Sequence, residues 1–200
     1  MKFPLPIVMV AGHAGSGKTF FTRLLAPLID AVYLDKDLIC HSMTEAMLRG
    51  LGSHRDDRVS ELYRTKVRPL EYGMLMACAE TTMEYGMQVG RGTIINAPFI
   101  DEISDFEWMD ELASTAMGYT GLLRVIWMQA QPDFIRERLI RRNELRDKDK
   151  LDHWDDYIAW ASKPPEFAVP TTVIHNDGSM VDLMEIIEDM AVDLNEHIEI

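Results

Sequence analysis

Little cysteine and no long apolar run are the first features that limit what this 200-residue chain can be. Cys40 and Cys78 stand far apart and in no metal-binding or redox spacing, which predicts reduced thiols and a cytoplasmic protein. No apolar run approaches the roughly 20 residues that a membrane-spanning helix needs. Residues 1–6 carry one lysine and no cleavage pattern, so we expect neither a signal peptide nor a membrane association.

Basic residues are also scarce, because 20 Lys and Arg face 33 Asp and Glu and give a net charge of −13. A protein that holds a nucleic-acid backbone needs a basic stripe on its surface, so we do not expect nucleic acid as the main partner. The apolar content of 47% is enough for a buried core. The length suits one domain over residues 1–200.

The most informative segment that is present is Gly12–Thr19, which reads GHAGSGKT. It follows an apolar run, Ile7–Ala11, and precedes Phe20–Leu25, which reads as the start of a helix. This is the GxxxxGK[ST] phosphate-binding loop in the strand–loop–helix setting that it requires. The segment therefore predicts binding of a nucleoside triphosphate.

Each residue type in the motif has a physical role. Backbone N–H groups of the loop and of the following helix terminus bind phosphate oxygens, and here these come from Gly12, His13, Ala14, Gly15, Ser16 and Gly17. Lys18 would reach the β- and γ-phosphates, and the Thr19 hydroxyl would bind Mg²⁺. ATP and Mg²⁺ are the cofactors we expect, and His13 needs to contribute only its backbone.

Strand and helix patterns alternate along the chain, which predicts a parallel α/β sheet with helices on both faces. We expect a helix to follow each of the five strands. Ser104 is the expected N-cap of the helix that follows the third strand. The predicted strands are 7–11, 31–34, 92–98, 122–128 and 171–175. The predicted helices are 17–29, 38–51, 104–117, 132–143 and 180–196, with residues 60–89 mostly helical and bent or divided at Pro69 and Gly73.

Ligands of open parallel sheets collect beyond the carboxyl ends of the strands. Asp35 follows the second strand and is our candidate for the base that orients an acceptor hydroxyl, the alternative being a helix cap. Asp37 is a candidate for Mg²⁺ or substrate binding, or for capping, whereas Lys36 is expected to face solvent. Asn96 follows the third strand, where an amide orients water but brings no charge; substrate binding and a turn role both stay open.

Arg138, Arg141 and Arg142 share one helical stripe because they stand at i, i+3 and i+4. We interpret them as phosphate-stabilising residues of a lid over about 138–153, the alternative being a solvated helix end. Aromatic residues at helical spacing just after them predict a packing face, namely Trp154, Tyr157 and Trp160. Four further arginines are candidates for binding an anionic substrate or plain surface charges, namely Arg55, Arg58, Arg64 and Arg68.

The chain resembles the family of small P-loop kinases that includes chloramphenicol phosphotransferase, gluconate kinase and the zeta toxins, together with ATPase-like proteins of the same signature. The segments that carry the resemblance are Ala11–Thr19, Tyr33–Leu38, Ile95–Phe99, Arg138–Lys150 and Asn176–Ser179. It implies a three-layer P-loop NTPase fold with a five-stranded sheet in the order 2-3-1-4-5. It also implies ATP-dependent transfer of a phosphoryl group to a hydroxyl, and it places Asn176, Asp177 and Gly178 near the adenine.

Our leading hypothesis is a kinase for a hydroxyl of a metabolite, nucleoside or antibiotic, recognised by the helical region of about 38–89. Asp35 would be the base, and the electrostatic stabilisers would be Lys18, Arg138, Arg141 and Arg142. One alternative is a polynucleotide or modified-base kinase. Another is a nucleotide-dependent switch or ATPase that acts through a protein partner. The sequence selects neither the acceptor nor an oligomeric state.

Overall fold

The computed structural model describes residues 5–119 and 121–196, and its centre is an all-parallel five-stranded sheet in the order β2-β3-β1-β4-β5. This confirms the predicted strand order. The strands are β1 (Leu5–Ala11), β2 (Ala31–Asp35), β3 (Gly92–Asn96), β4 (Gly121–Gln129) and β5 (Thr172–His175). Residues 1–4, on which the signal-peptide prediction partly rests, lie outside the described part of the chain.

Helices cover both faces of the sheet. They are α1 (Lys18–Leu28), α2 (Lys36–Gly50), α3 (Arg68–Val89), α4 (Phe106–Gly118), α5 (Pro132–Arg142), α6 (Lys148–Asp152), α7 (Trp154–Ala161) and α8 (Met180–Glu196). A π-helical turn spans Tyr63–Val67, and 3₁₀ turns span Glu102–Ser104 and Leu145–Asp147. No helix of residues 5–119 and 121–196 is both long and apolar enough to cross a membrane.

The core has two halves because successive side chains of a strand point to opposite faces. Met9 of β1 packs in one cluster with residues of α3 and α4, such as Leu75 and Met109. Val10 packs in the other cluster with Phe21 of α1 and Ile187 of α8. Burial on both faces explains why the central strands read as continuous apolar runs.

Two helix boundaries differ from the sequence prediction. Asp105 rather than Ser104 caps α4, since its Oδ1 accepts a hydrogen bond from the Trp108 N–H while Ser104 closes a 3₁₀ turn. Helix α3 continues through Gly73 without a break. Pro69 stands in the first turn of α3, where its missing N–H has no partner to lose, so the irregularity falls in the preceding π-helical turn.

Lys36, expected to face solvent, is instead 4% exposed, so that prediction is wrong. Its ammonium lies 2.8 Å from Glu71 of α3, which is buried and needs a charge partner. Glu71 also accepts hydrogen bonds from Thr44 and from Tyr63. This buried network fixes α2 and the π-helical turn against α3. The two cysteines are both free, and Cys40 is buried beside the network, donating its thiol to the Glu71 carbonyl.

Removal of the Glu71 carboxylate should therefore leave the buried Lys36 ammonium with the half-exposed Asp37, at 3.2 Å, as its remaining ion-pair partner among the described residues, and should take away the acceptor of Thr44 and Tyr63. We expect Glu71→Ala to lower the free energy of unfolding by about 3–5 kcal/mol, measured by urea denaturation. The double variant Lys36→Met, Glu71→Gln removes both charges and keeps an acceptor for Tyr63, so it should recover most of that loss. A loss below about 1 kcal/mol in Glu71→Ala would contradict the role of this ion pair.

Candidate active site

The loop between β1 and α1 has a backbone that only glycine can supply. Gly12 and Gly17 have φ angles of 139° and 98°. A Cβ atom at Gly12 would lie 2.3 Å from the Met128 carbonyl oxygen, and one at Gly17 would lie 2.0 Å from the Asn176 amide nitrogen. Residues of β4 and of the segment after β5 therefore pack closely against the loop, and the shape of the loop depends on their position.

Lys18 lies at the start of α1 and donates from Nζ to the His13 carbonyl oxygen at 2.8 Å. Burial lowers the pKa of Lys18 to about 7. The His13 ring is buried edge-on to Trp127 and Trp160, and burial together with Lys18 lowers its pKa to about 4. At neutral pH this imidazole is uncharged and serves in packing.

Three side chains from distant parts of the chain hold the loop carbonyls. Arg138 donates from Nη1 to the Gly15 oxygen at 3.2 Å and from Nη2 to the Asn176 oxygen at 2.9 Å. Asn176 donates from Nδ2 to the Ser16 oxygen at 2.9 Å, and the Tyr157 hydroxyl donates to the Ala14 oxygen at 3.1 Å. These contacts pre-organise the loop for an anion.

The segment after β5, implied to lie near the adenine, makes other contacts in this structure. Asn176 braces the loop, and Asp177 accepts a hydrogen bond from the Gln131 N–H. Gly178 lies against Asp182 of α8. The lining of the large cavity described below includes none of Asn176, Asp177 and Gly178. Of the three, Asn176 alone contacts the phosphate-binding loop within the described residues.

Asp35 combines the two roles that its sequence position left open. Its Oδ1 caps α2 by accepting from the N–H groups of Asp37 (2.9 Å) and Leu38 (3.2 Å). Its Oδ2 accepts from Asn96 Nδ2 at 2.7 Å and from the Tyr33 hydroxyl, and it lies 3.4 Å from the Thr19 hydroxyl. The carboxylate is buried, and donors surround both of its oxygens.

Oxygen donors suited to Mg²⁺ meet at this point. They are the Thr19 hydroxyl and Asp35 Oδ2, which lie 3.4 Å apart, whereas Asn96 turns its Nδ2 toward both of them and its buried Oδ1 has no hydrogen-bond partner. Within residues 5–119 and 121–196 no group of three or more His, Cys, Asp or Glu could hold a metal alone. Nucleotide phosphates and water would have to complete the ion's coordination. The negative charge that Asn96 lacks is present on Asp35.

Asp37 joins the start of α2 to the predicted lid. Its carboxylate lies 3.2 Å from the Lys36 ammonium and pairs with the guanidinium of Arg146. Burial alone would raise the pKa of Asp37, but Lys36 and Arg146 hold that pKa well below its usual range. The Asp37 side chain is 46% exposed and borders the cavity, so an ionised oxygen faces that space.

The predicted lid segment is anchored by ion pairs in this structure. Asp147 is buried and accepts from Arg142 at 2.8 Å and from Lys150 at 3.3 Å. With Arg146 on Asp37, these pairs hold the segment across the cavity.

Two of the three arginines on the predicted helical stripe border the cavity, and Arg146 borders it in place of the third. Arg138, Arg142 and Arg146 border the cavity, whereas Arg141 is exposed and lies outside the lining. Helix α5 ends at Arg142 and Asn143 has a φ of 52°, so the chain turns back and brings Arg146 over the site. The four-residue spacing of the three arginines was the available signal, and sequence reasoning missed Arg146.

One cavity of about 730 Å³ connects these groups. Its loop end contains Lys18 and Thr19, with Tyr157 and Trp160 of α7 beside them. Its far wall comes from the predicted acceptor region and from the turn after β3, and includes Arg58, Tyr63, Arg64, Arg68, Tyr72, Pro98 and Asp101. The packing face predicted around Tyr157 thus also lines the site.

The glycine-rich loop at the end of β1, within this sheet order, defines a P-loop nucleotide-binding fold. The chain belongs to the AAA domain family, whose model matches residues 7–164. This agrees with the resemblance to small P-loop kinases inferred from the sequence. None of the curated protein sequences compared with the chain matches it significantly.

Solved structures share the fold over almost the whole chain. A candidate kinase from Chloroflexus aurantiacus is 20% identical with a TM-score of 0.61, covering 98% of this chain and 99% of that one. A gluconokinase from Sinorhizobium meliloti is 17% identical with a TM-score of 0.59, covering 100% and 96%. A shikimate kinase from Bacteroides thetaiotaomicron is 16% identical with a TM-score of 0.54, covering 95% and 98%.

If the Asn176 side chain holds the phosphate-binding loop in place, removal of that side chain should lower the stability of the protein. We expect Asn176→Ala to lower the free energy of unfolding by about 1–3 kcal/mol, because it leaves the Ser16 carbonyl without its buried donor. The matched control is Asn195→Ala, which removes an exposed hydrogen bond to Leu28 and should change stability by less than about 0.5 kcal/mol. Equal losses in urea denaturation would contradict the bracing role.

Proposed function

We propose that this protein is an ATP- and Mg²⁺-dependent kinase that transfers the γ-phosphoryl group to a hydroxyl of a small molecule. The observation that carries the proposal is one cavity lined both by the phosphate-binding loop and by polar residues from the segment after α2 and the turn after β3. We assign the part lined by those polar residues, the acceptor compartment, to a second ligand beside the nucleotide. The gluconokinase and shikimate kinase of the same fold are named for small acceptors.

Lys18 would bind the β- and γ-phosphates, and Thr19 would hold Mg²⁺, which supplies charge neutralisation between the phosphates when bound. The transferring group develops charge on its oxygens in a loose transition state, so nearby cations stabilise it. Arg142 and Arg146 border the same space and are placed for that role. Because Arg141 lies outside the cavity lining, we assign to Arg146 the phosphate-stabilising role that the sequence suggested for Arg141. Arg138 would act through the loop that it braces.

The roles that we propose for Asp35 and Asp37 differ from the ones that the sequence suggested. Asp35 is enclosed by donors and faces Thr19, so we assign it to orienting that hydroxyl, which would hold Mg²⁺. Asp37 is half exposed to the cavity and remains ionised, so we assign it to accepting a hydrogen bond from the acceptor hydroxyl. A loose transition state needs an oriented nucleophile more than a strong base, which suits a carboxylate of low pKa. Asn96 would keep Asp35 in place rather than bind substrate.

The decisive experiment incubates the protein with Mg²⁺-ATP and, in parallel, Mg²⁺-GTP, together with a panel of hydroxyl-bearing metabolites, nucleosides and antibiotics. Phosphorylated product is detected by phosphorus NMR and mass spectrometry. We expect Asp37→Asn to lower kcat by at least about 100-fold, the scale of a lost acid–base or positioning group, with nucleotide affinity changed less than about threefold. The control is Glu45→Gln, on the same helix but outside the cavity lining, which should match the wild type.

Nucleotide hydrolysis without any phosphorylated acceptor would instead indicate the ATPase or switch. Product formed only from oligonucleotides would indicate the polynucleotide kinase. Full transfer by Asp37→Asn would contradict its assigned role and leave the kinase proposal standing.

The pH dependence of nucleotide affinity follows from Lys18. Its pKa is lowered by burial to about 7 in the free protein, and bound phosphates would raise it because opposite charges favour the ammonium. A group whose pKa rises on binding takes up a proton, so affinity is complete below pH 7 and falls by up to about tenfold per pH unit above it. Calorimetric titration at pH 8 in buffers of different ionisation enthalpy should show proton uptake, absent in Lys18→Met. A constant affinity from pH 6.5 to 8.5 would refute the assignment.

A further inference from the structure

The charge of the cavity is opposite to that of the whole molecule. Among residues 5–119 and 121–196, ten Lys and Arg side chains line it, against four Asp and no Glu, in a chain of net charge −13. Magnesium-bound ATP carries roughly two net negative charges. That charge does not account for the cationic excess, so a second anion is the natural complement.

The cations come from two separate parts of the fold. One set belongs to the loop and the lid and includes Lys18, Arg142 and Arg146. The other set comes from the segment after α2 and the first residue of α3, namely Arg58, Arg64 and Arg68. The first set is explained by the nucleotide. The second set lies on the wall of the compartment that we assign to the acceptor.

Carboxylates of the protein neutralise only one member of the second set. Arg68 pairs with Glu102 at 2.8 Å and with Asp101 at 3.1 Å. Arg58 donates only to backbone oxygens, those of Arg55 and Asp57, and among the described residues no carboxylate lies within ion-pair distance of it.

Arg64 is the least engaged of the three. Its backbone N–H donates to the Ser60 oxygen at 3.0 Å, but within the described residues 5–119 and 121–196 its guanidinium makes no hydrogen bond or ion pair, although it borders the cavity. Two guanidinium groups, those of Arg58 and Arg64, are therefore available to a ligand.

Arg58 is held in place before any ligand arrives. The preceding Asp57 accepts from the Val59 and Ser60 N–H groups and from the Ser53 hydroxyl at 2.6 Å, which locks this turn. Although burial would raise the pKa of Asp57, hydrogen bonds from Ser53 and Ser60 lower it to about 2, so the acceptor stays ionised. A fixed turn reduces the entropy lost when Arg58 binds an anion.

Arg64 is positioned by the π-helical turn Tyr63–Val67. Tyr63 is buried and donates its hydroxyl to Glu71, which fixes the rotation of the turn and leaves the next residue on the cavity side. Turns of this kind occur frequently at functional sites. Arg58 lies 5.4 Å from the Tyr63 ring, so both arginines flank one buried tyrosine.

We propose that the acceptor carries an anionic group, a carboxylate or a phosphate, in addition to its reacting hydroxyl, and that Arg58 and Arg64 bind that group. This inference rests on the proposed kinase function. Arginine suits both anions because its planar donors match their oxygens. A small molecule fits better than a nucleic-acid strand, since a cavity of about 730 Å³ is of the usual size for small-ligand sites and the chain is acidic overall.

The test uses the full chain with its nucleotide site saturated by Mg²⁺-AMPPNP. Inorganic phosphate and acetate are then titrated separately by calorimetry, which distinguishes a phosphate from a carboxylate. We expect the wild type to bind one of these anions with the nucleotide still bound. Arg58→Ala and Arg64→Ala should each raise its Kd by about tenfold or more. The control is Arg55→Ala, which removes a neighbouring arginine that pairs with Asp56 outside the cavity lining and should leave the Kd unchanged.

Four results discriminate between the proposals. Failure to bind Mg²⁺-AMPPNP would overturn the proposed kinase function itself. Bound nucleotide with no bound anion, or an anion Kd equal in wild type and both variants, would overturn only the inference about the acceptor. Salt-sensitive binding of an oligonucleotide lost in the same variants would also overturn it, in favour of a nucleic-acid acceptor. The Arg64 guanidinium has no protein partner among the described residues, and the backbone bond from Arg64 to Ser60 does not involve that group, so Arg64→Ala should melt like the wild type and its result does not depend on folding.

Discussion

The geometry of the site depends on the hydrogen bonds that surround one buried carboxylate, that of Asp35. A buried charge is tolerated only when hydrogen bonds or counter-charges replace its water. Here the donors come from the start of α2, from Asn96 of β3 and from Tyr33 of β2, while Thr19 of α1 lies within 3.4 Å. One side chain therefore sets the distance between the phosphate-binding loop and the helix that begins the acceptor wall.

The residues that follow Asp35 extend this arrangement in two directions. Lys36 turns into the core and meets Glu71 of α3, whereas Asp37 turns outward and meets Arg146 of the lid. Because Lys36 also lies 3.2 Å from Asp37, a continuous run of charges joins α3, α2 and the lid. Such a run offers a physical connection between acceptor side and nucleotide side, since moving any one charge leaves its neighbour uncompensated.

Sequence reasoning predicted the parts of this protein that local patterns determine. The motif at Gly12–Thr19 and the alternation of strands and helices predicted the phosphate-binding loop and a parallel sheet with helices on both faces, because each is encoded by neighbouring residues. The strand order, which joins distant parts of the chain, came from the family resemblance. The burial of Lys36 could not be predicted, since its partner is 35 residues away on α3. The replacement of Arg141 by Arg146 followed from a left-handed Asn143, a single backbone angle that the helical pattern does not reveal. The predicted roles of Asp35, Asp37 and the lid arginines remain predictions.

The acidic surface and the cationic cavity are best understood together. A charged cleft with low-dielectric walls focuses its field, and the surrounding acids confine that field to the opening. Anionic ligands are then attracted to the cavity rather than to the surface at large. The same arrangement makes an unliganded cavity electrostatically unfavourable, because its cations repel one another. Asp37 and Asp147 offset that repulsion by pairing with Arg146 and Arg142, at the positions where a transferring phosphoryl group would bring its own negative charge. If the proposed function is right, Asp37 and Asp147 supply in the unliganded cavity the negative charge that bound phosphates would provide.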